Sequence, residues 1–112
     1  MTTTVKVLIP AKNAENAQTT QYTVSSGVTT IIDKFTATNY SASAASLSVN
    51  LVTAAGTAGN SNLITKTKTL QPGEVYTFPE IVGQALSAND FISTLASAAT
   101  SINIRSSGRE LT

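Results

Sequence analysis

The chain has 112 residues, seven basic and six acidic, and contains no Cys, His or Trp. That length predicts a single domain with a modest core. Zero Cys excludes disulfides and thiolate chemistry, and zero His excludes Ser-His-Asp triads and most catalytic zinc geometries. A net charge of +1 offers no electrostatic footprint for nucleic acid or an anionic membrane.

Small residues dominate, with 19 Thr, 15 Ala and 13 Ser, while only 12% of residues are charged. A surface this poor in charge is covered by hydroxyls and methyls, which suits close protein contact. No apolar run approaches the roughly 20 residues of a membrane helix. Met1–Lys6 lacks a basic patch followed by a long apolar stretch, so no secretion signal is expected. The composition predicts a protein that is not an enzyme and holds no cofactor or metal.

Thr, Val and Ile enrichment favours strands. Thr4–Ile9 alternates with Val5, Val7 and Ile9 on one face and is expected to end at Pro10. Residues 11–18 read as a loop or one loose helical turn. Thr19–Ser25 resumes a period of two. A longer strand runs from Thr29 to about Thr38, with Ile31 and Phe35 on one face and Ile32 on the other. Asp33-Lys34 marks a bulge or an edge position within it.

Ser46–Val52 carries the cleanest alternation, with Leu47, Val49 and Leu51 against Ser46, Ser48 and Asn50. Ala54–Asn62 reads as a flexible surface loop. Leu63–Leu70 follows, with Ile64, Lys66 and Lys68 on one face. Gln71-Pro72-Gly73-Glu74 has the residues of a type II turn, predicting a hairpin that returns as Val75–Phe78. Glu80–Leu86 has the look of a short helix after Pro79. Phe91–Ala96 and Ser101–Ser106 read as a final strand pair, with Ile102 and Ile104 inward and Gly108 breaking the pattern. Seven or eight short strands with turns between them, and at most one short helix, predict an all-β, antiparallel, jelly-roll-like sandwich over residues 1–112.

Most of the six acids, Glu15, Asp33, Glu74, Glu80, Asp90 and Glu110, sit beside turns or strand ends. Solvated or capping roles are expected there, because no spacing singles out a glycosidase-like pair. Asn89-Asp90 is too sparse for calcium. Gly56 and Gly59 lack the Lys-Ser/Thr and helix of a phosphate loop. Asn39-Tyr40-Ser41 matches a glycosylation acceptor by chance composition. Lys66 and Lys68 read as a charged, aggregation-resistant edge or as a contact to acidic groups on a partner. Arg105 and Arg109 flank Ser106-Ser107-Gly108, where they would close a hairpin or anchor the C-terminal segment through salt links. Of six aromatics, only Tyr76 and Phe78 share a strand face by spacing, too few for a sugar- or base-stacking platform.

Six segments carry a resemblance: Thr38–Ser41, Leu47–Val52, Asn62–Ile64, Leu70–Glu74, Phe91–Ala96 and Ile102–Glu110. From about Ala37 onward, their order and the total length resemble the capsid decoration, or cement, proteins of short-tailed bacteriophages. The resemblance covers roughly two thirds of the chain. It implies a jelly-roll homodimer on the outer capsid surface that staples neighbouring subunits of the major capsid protein; Lys66 and Lys68, from their charge and spacing, are the candidate contacts. Another virion part (neck, tail or fibre base) and a carbohydrate-binding module are the alternatives.

Overall fold

The Thr-, Val- and Ile-rich segments fold as strands, and a computed structural model describes residues 2–112. The strands are β1 (Thr3–Asn13), β2 (Thr19–Thr23), β3 (Thr29–Asn39), β4 (Ala45–Val52), β5 (Leu63–Leu70), β6 (Val75–Tyr76), β7 (Ala85–Leu86), β8 (Phe91–Ala96) and β9 (Ile102–Leu111). The helical content among the described residues is one 3₁₀ turn at Asn60–Asn62.

Two antiparallel sheets form. The five-stranded sheet runs β1-β9-β3-β6, with β7 also on β3, and the four-stranded sheet runs β2-β8-β4-β5. The pairing is nested: β1 with β9, β2 with β8, β3 with β6 and β7, β4 with β5. Apart from β4–β5 and β6–β7, consecutive strands lie in opposite sheets. Nested pairs wrapped across two sheets make a jelly roll. The short β6 and β7 share one position beside β3, at opposite ends of it.

The inner faces meet in one cluster built from Ile9, Ile32, Phe35, Leu47, Val49, Leu70, Phe78, Ile81, Ile92, Ile102 and Ile104, all fully buried. Phe78 is its aromatic centre, edge-on to Phe35 at 4.8 Å and to Tyr76 at 4.6 Å. Asn39 is fully buried beside the cluster. Its amide donates to the Ser43 and Leu70 carbonyls, and its side-chain oxygen accepts from Ser41. An amide so enclosed leaves no room for a glycan.

Several expectations change. β1 runs through Pro10, which lies within the Ile9–Lys12 register shift on an edge strand where a missing N–H removes no ladder bond. Those shifts bury Leu8 together with Ile9 and leave Val5 and Val7 exposed. In β3 the Asp33-Lys34 site is a bulge, so the inward set is Ile32, Phe35 and Ala37, with Ile31 only half-buried. Gly108 does not end a strand; it lies inside β9, opposite Lys6 and Ile32. Arg105 and Arg109 therefore lie within one continuous strand and close no hairpin.

The Gln71–Glu74 turn forms as expected, with Gly73 at φ +80° and the Glu74 N–H on the Gln71 carbonyl at 2.9 Å. It closes no hairpin, because β6 pairs with β3 and the turn carries the chain from one sheet to the other. Instead of a helix over 80–86 there is a short run of turns. Ile81 and Val82 donate to the Phe78 carbonyl, then Gly83 at φ +90° halts the coil. The edge of β3 takes the chain next, with Gly83 N–H on the Ile32 carbonyl at 2.7 Å. β8 and β9, read as a pair, lie in different sheets.

Candidate functional site

All six carboxylates are engaged in holding the fold. Glu74 caps the Gln71 N–H at 2.8 Å. Asp90 accepts from the Ser87 and Ala54 N–H groups, both at 2.9 Å, tying the Asn89 turn to the loop after β4. Asp33, at the bulge, takes Arg109 in a forked contact of 3.0–3.2 Å, so Arg109 anchors the last strand. Among the described residues no group of three or more Asp, Glu, His or Cys could hold a metal ion.

Glu15, Glu80 and Glu110 receive hydrogen bonds that favour their charged forms. Lys12 and then Gln21 hold Glu15 below the usual carboxylate range. Burial pushes Glu80 up, but hydrogen bonds from Thr65 and Tyr76 outweigh it and the net shift is downward. The Tyr22 hydroxyl lowers Glu110 against partial burial, helped by Lys6. Burial and the Glu110 carboxylate push the Tyr22 hydroxyl up to about 12. Thr65 lies on β5, Tyr76 on β6 and Glu80 in the turn beyond, so their network bridges the two sheets.

A pH dependence follows. Carboxylates lowered in the folded state stabilise it fully above their unfolded value of about 4.3, and that stabilisation is lost as pH falls through the folded values. The urea midpoint is expected to fall between about pH 5 and about pH 3. Glu80→Gln should flatten that fall, which a series of urea melts across pH would register.

The loop between β4 and β5 is not the free surface connection its sequence predicts. Asn50, outward on β4, donates to Asn62 at 2.7 Å and to the Gly59 carbonyl at 3.0 Å. Asn62 in turn accepts from the Gly59 N–H and donates to the Thr57 carbonyl. Gln18 reaches Ser93 at 2.7 Å beside them. The loop thus lies over the outer face of the four-stranded sheet and leaves a cleft of about 170 Å³, lined among others by Gln18, Ser48, Asn60, Lys66 and Leu95. Asn50, Asn62 and Gln18 escape a sequence reading. The one available signal was Asn50 on the polar side of the β4 alternation, where a serine-like surface residue was the simpler inference.

Lys66 and Lys68 do not share a face. Thr67 adopts a left-handed conformation, φ +43°, and the β4–β5 register shifts there by one residue. The extra residue reverses the alternation. Lys66 lines the outer cleft, whereas the Lys68 ammonium sits 4.6 Å from the Tyr76 ring centroid at the sheet-to-sheet border. Tyr76 and Phe78 stack in and beside the core, and Phe91 is only half-buried. Tyr40, the exposed aromatic, hydrogen-bonds Asn13 at 2.9 Å.

Fold and side chains together define an antiparallel jelly-roll sandwich whose carboxylates tie strands and loops to one another. No protein family and no curated protein matches the sequence. In fold the chain is similar to a chain in a structure of infectious bursal disease virus, Gx strain, with a TM-score of 0.51 and 11% identity. The likeness covers 97% of this chain and 32% of that one, so this chain spans about a third of the neighbour's length.

Proposed function

We propose that the chain is a virion structural protein of the capsid-decoration type, lying on the outer capsid surface and bridging neighbouring major capsid subunits. The observation that carries this reading is the jelly roll, shared along 97% of the chain with a chain from a virus structure. The phage-like segments from Ala37 onward add support. Decoration needs a stiff body and repeated contacts. A protein that binds assembled lattice better than free subunits stabilises the assembly by mass action. A homodimer touching two subunits gains again through effective concentration. Lys66, free of salt bridges among the described residues and set in the outer cleft, is the better candidate to meet an acidic group on the capsid. Lys68 is the other candidate contact, from its place over Tyr76.

The test is the copy number of this chain relative to the major capsid protein in purified particles. A ratio near one, or a simple lattice fraction, is expected. A ratio far below any lattice fraction would place the chain at the neck or tail, and absence from particles would overturn the virion reading.

A further inference from the structure

β1 is an edge of the five-stranded sheet, and residues Thr3–Val7 of it are all exposed. The hydrogen-bonding pattern says which groups that edge presents. Thr2 and Thr112 exchange both backbone bonds, at 2.7 and 2.9 Å. From Thr3↔Leu111 to Val7↔Ser107 the register does not shift. Hydrogen-bonded pairs recur every second residue in an antiparallel ladder. Thr4 and Lys6 therefore turn their N–H and C=O groups toward β9, while Thr3, Val5 and Val7 turn theirs away from the sheet.

Among the described residues the other edges offer no equal run. β6 and β7 are two residues each, β2 has a register shift after Thr20, and β5 is interrupted at Thr67. Beyond Val7, β1 itself is closed to pairing by its own register shifts and by Pro10, which has no N–H. On the free run, Val5 is 83% exposed and Val7 42% exposed, side by side on the outer face.

We infer that Thr3–Val7 is the self-association edge: two copies pair antiparallel about a two-fold axis through Val5, joining their five-stranded sheets into one. The run is self-complementary about that point. Val5 faces the partner's Val5, and Thr3 faces the partner's Val7, each pair exchanging both backbone bonds, about six in all. The valines continue one apolar stripe across the axis, as favourable β-branched cross-strand pairs. Lys6 then lies opposite the partner's Thr4. A register centred on Lys6 would instead set two ammonium groups against each other, which is unfavourable. The isologous two-fold is also the commonest closed symmetry for a small homo-oligomer. This assignment rests on the decoration reading only for the expectation that the chain self-associates.

Sedimentation of the wild-type chain and of Val5→Pro from about 1 μM to about 1 mM tests it. The wild type is expected at twice the 11.6 kDa chain mass, and Val5→Pro at the single mass with a dissociation constant raised about 100-fold. Proline at this edge position should leave the monomer folded, since the Val5 N–H is not used within the chain. Val5→Lys, which changes only an exposed side chain, provides the same test should proline disturb the strand. It places like charges at the axis and should dissociate the dimer most completely at low salt. A monomeric wild type, or a Val5→Lys chain that stays dimeric, overturns the inference. A monomeric wild type that still decorates particles would overturn it while the decoration reading stands. A wild-type dimer split by Val5→Lys, with no chain on particles, would uphold the edge and overturn decoration.

Discussion

Gly108→Ala is expected to lower folding stability by about 3 kcal/mol or more, or to prevent soluble folding. A Cβ at this position would lie 2.1 Å from the Ile31 carbonyl oxygen and 3.0 Å from the Leu8 side chain. The obstructing atom is backbone, in the central strand β3, one residue before the Asp33 bulge begins. Relief would require β3 and β9 to separate along the ladder that joins Phe35, Ile104 and Ile102 into one sheet. Gly59→Ala is the control. It meets nothing closer than 4.0 Å on an extended backbone, so its effect should stay within about 0.5 kcal/mol. Urea melts followed by circular dichroism decide the matter. Equal midpoints for Gly108→Ala and the wild type would show that β3 does not approach β9 so closely.

Phe78→Ala is expected to cost about 3–5 kcal/mol. The ring is fully buried and touches both Phe35 and Tyr76, so truncation leaves a cavity and removes two edge-to-face contacts. Tyr76 also donates to Glu80, which accepts from Thr65 across the sheets. A loosened Tyr76 should therefore weaken the acid-sensitive network as well. Phe78→Leu keeps most of the volume and should cost less, about 1–2 kcal/mol. Phe78 has φ +46°, a conformation that glycine adopts without strain. Phe78→Gly should consequently be no worse than Phe78→Ala, the reverse of the order expected where φ is negative. A clear excess cost for glycine would contradict the left-handed backbone.

How much of this was legible in the sequence varies strand by strand. β4 stands where Ser46–Val52 predicts it, because Leu47 and Val49 alternate with hydroxyl and amide residues that one face of the sheet must bury or expose. The Pro72-Gly73 turn was equally readable, since its chemistry is local. The partners of the flanking strands were not. A turn that could close a hairpin instead crosses from β5 to β6, and nothing local distinguishes the two outcomes. The candidate cleft was hidden for the same reason, as it depends on Asn50 meeting Asn62 across a folded loop.

Composition and periodicity alone determined an antiparallel all-β chain, the absence of thiol and imidazole chemistry, and the inward places of Leu47, Val49, Ile102 and Ile104. Tertiary structure alone decided the nested strand order and the register shifts, among them those near Val7, Asp33 and Thr67. Each insertion reverses the alternation up to the next shift, which is why Ile32 replaces Ile31 in the core and why Lys66 and Lys68 part company. A bulge leaves one residue unpaired and bends its strand locally. Its position is settled by which side chains gain burial once the facing sheet is in place, and that information lies in residues distant along the chain.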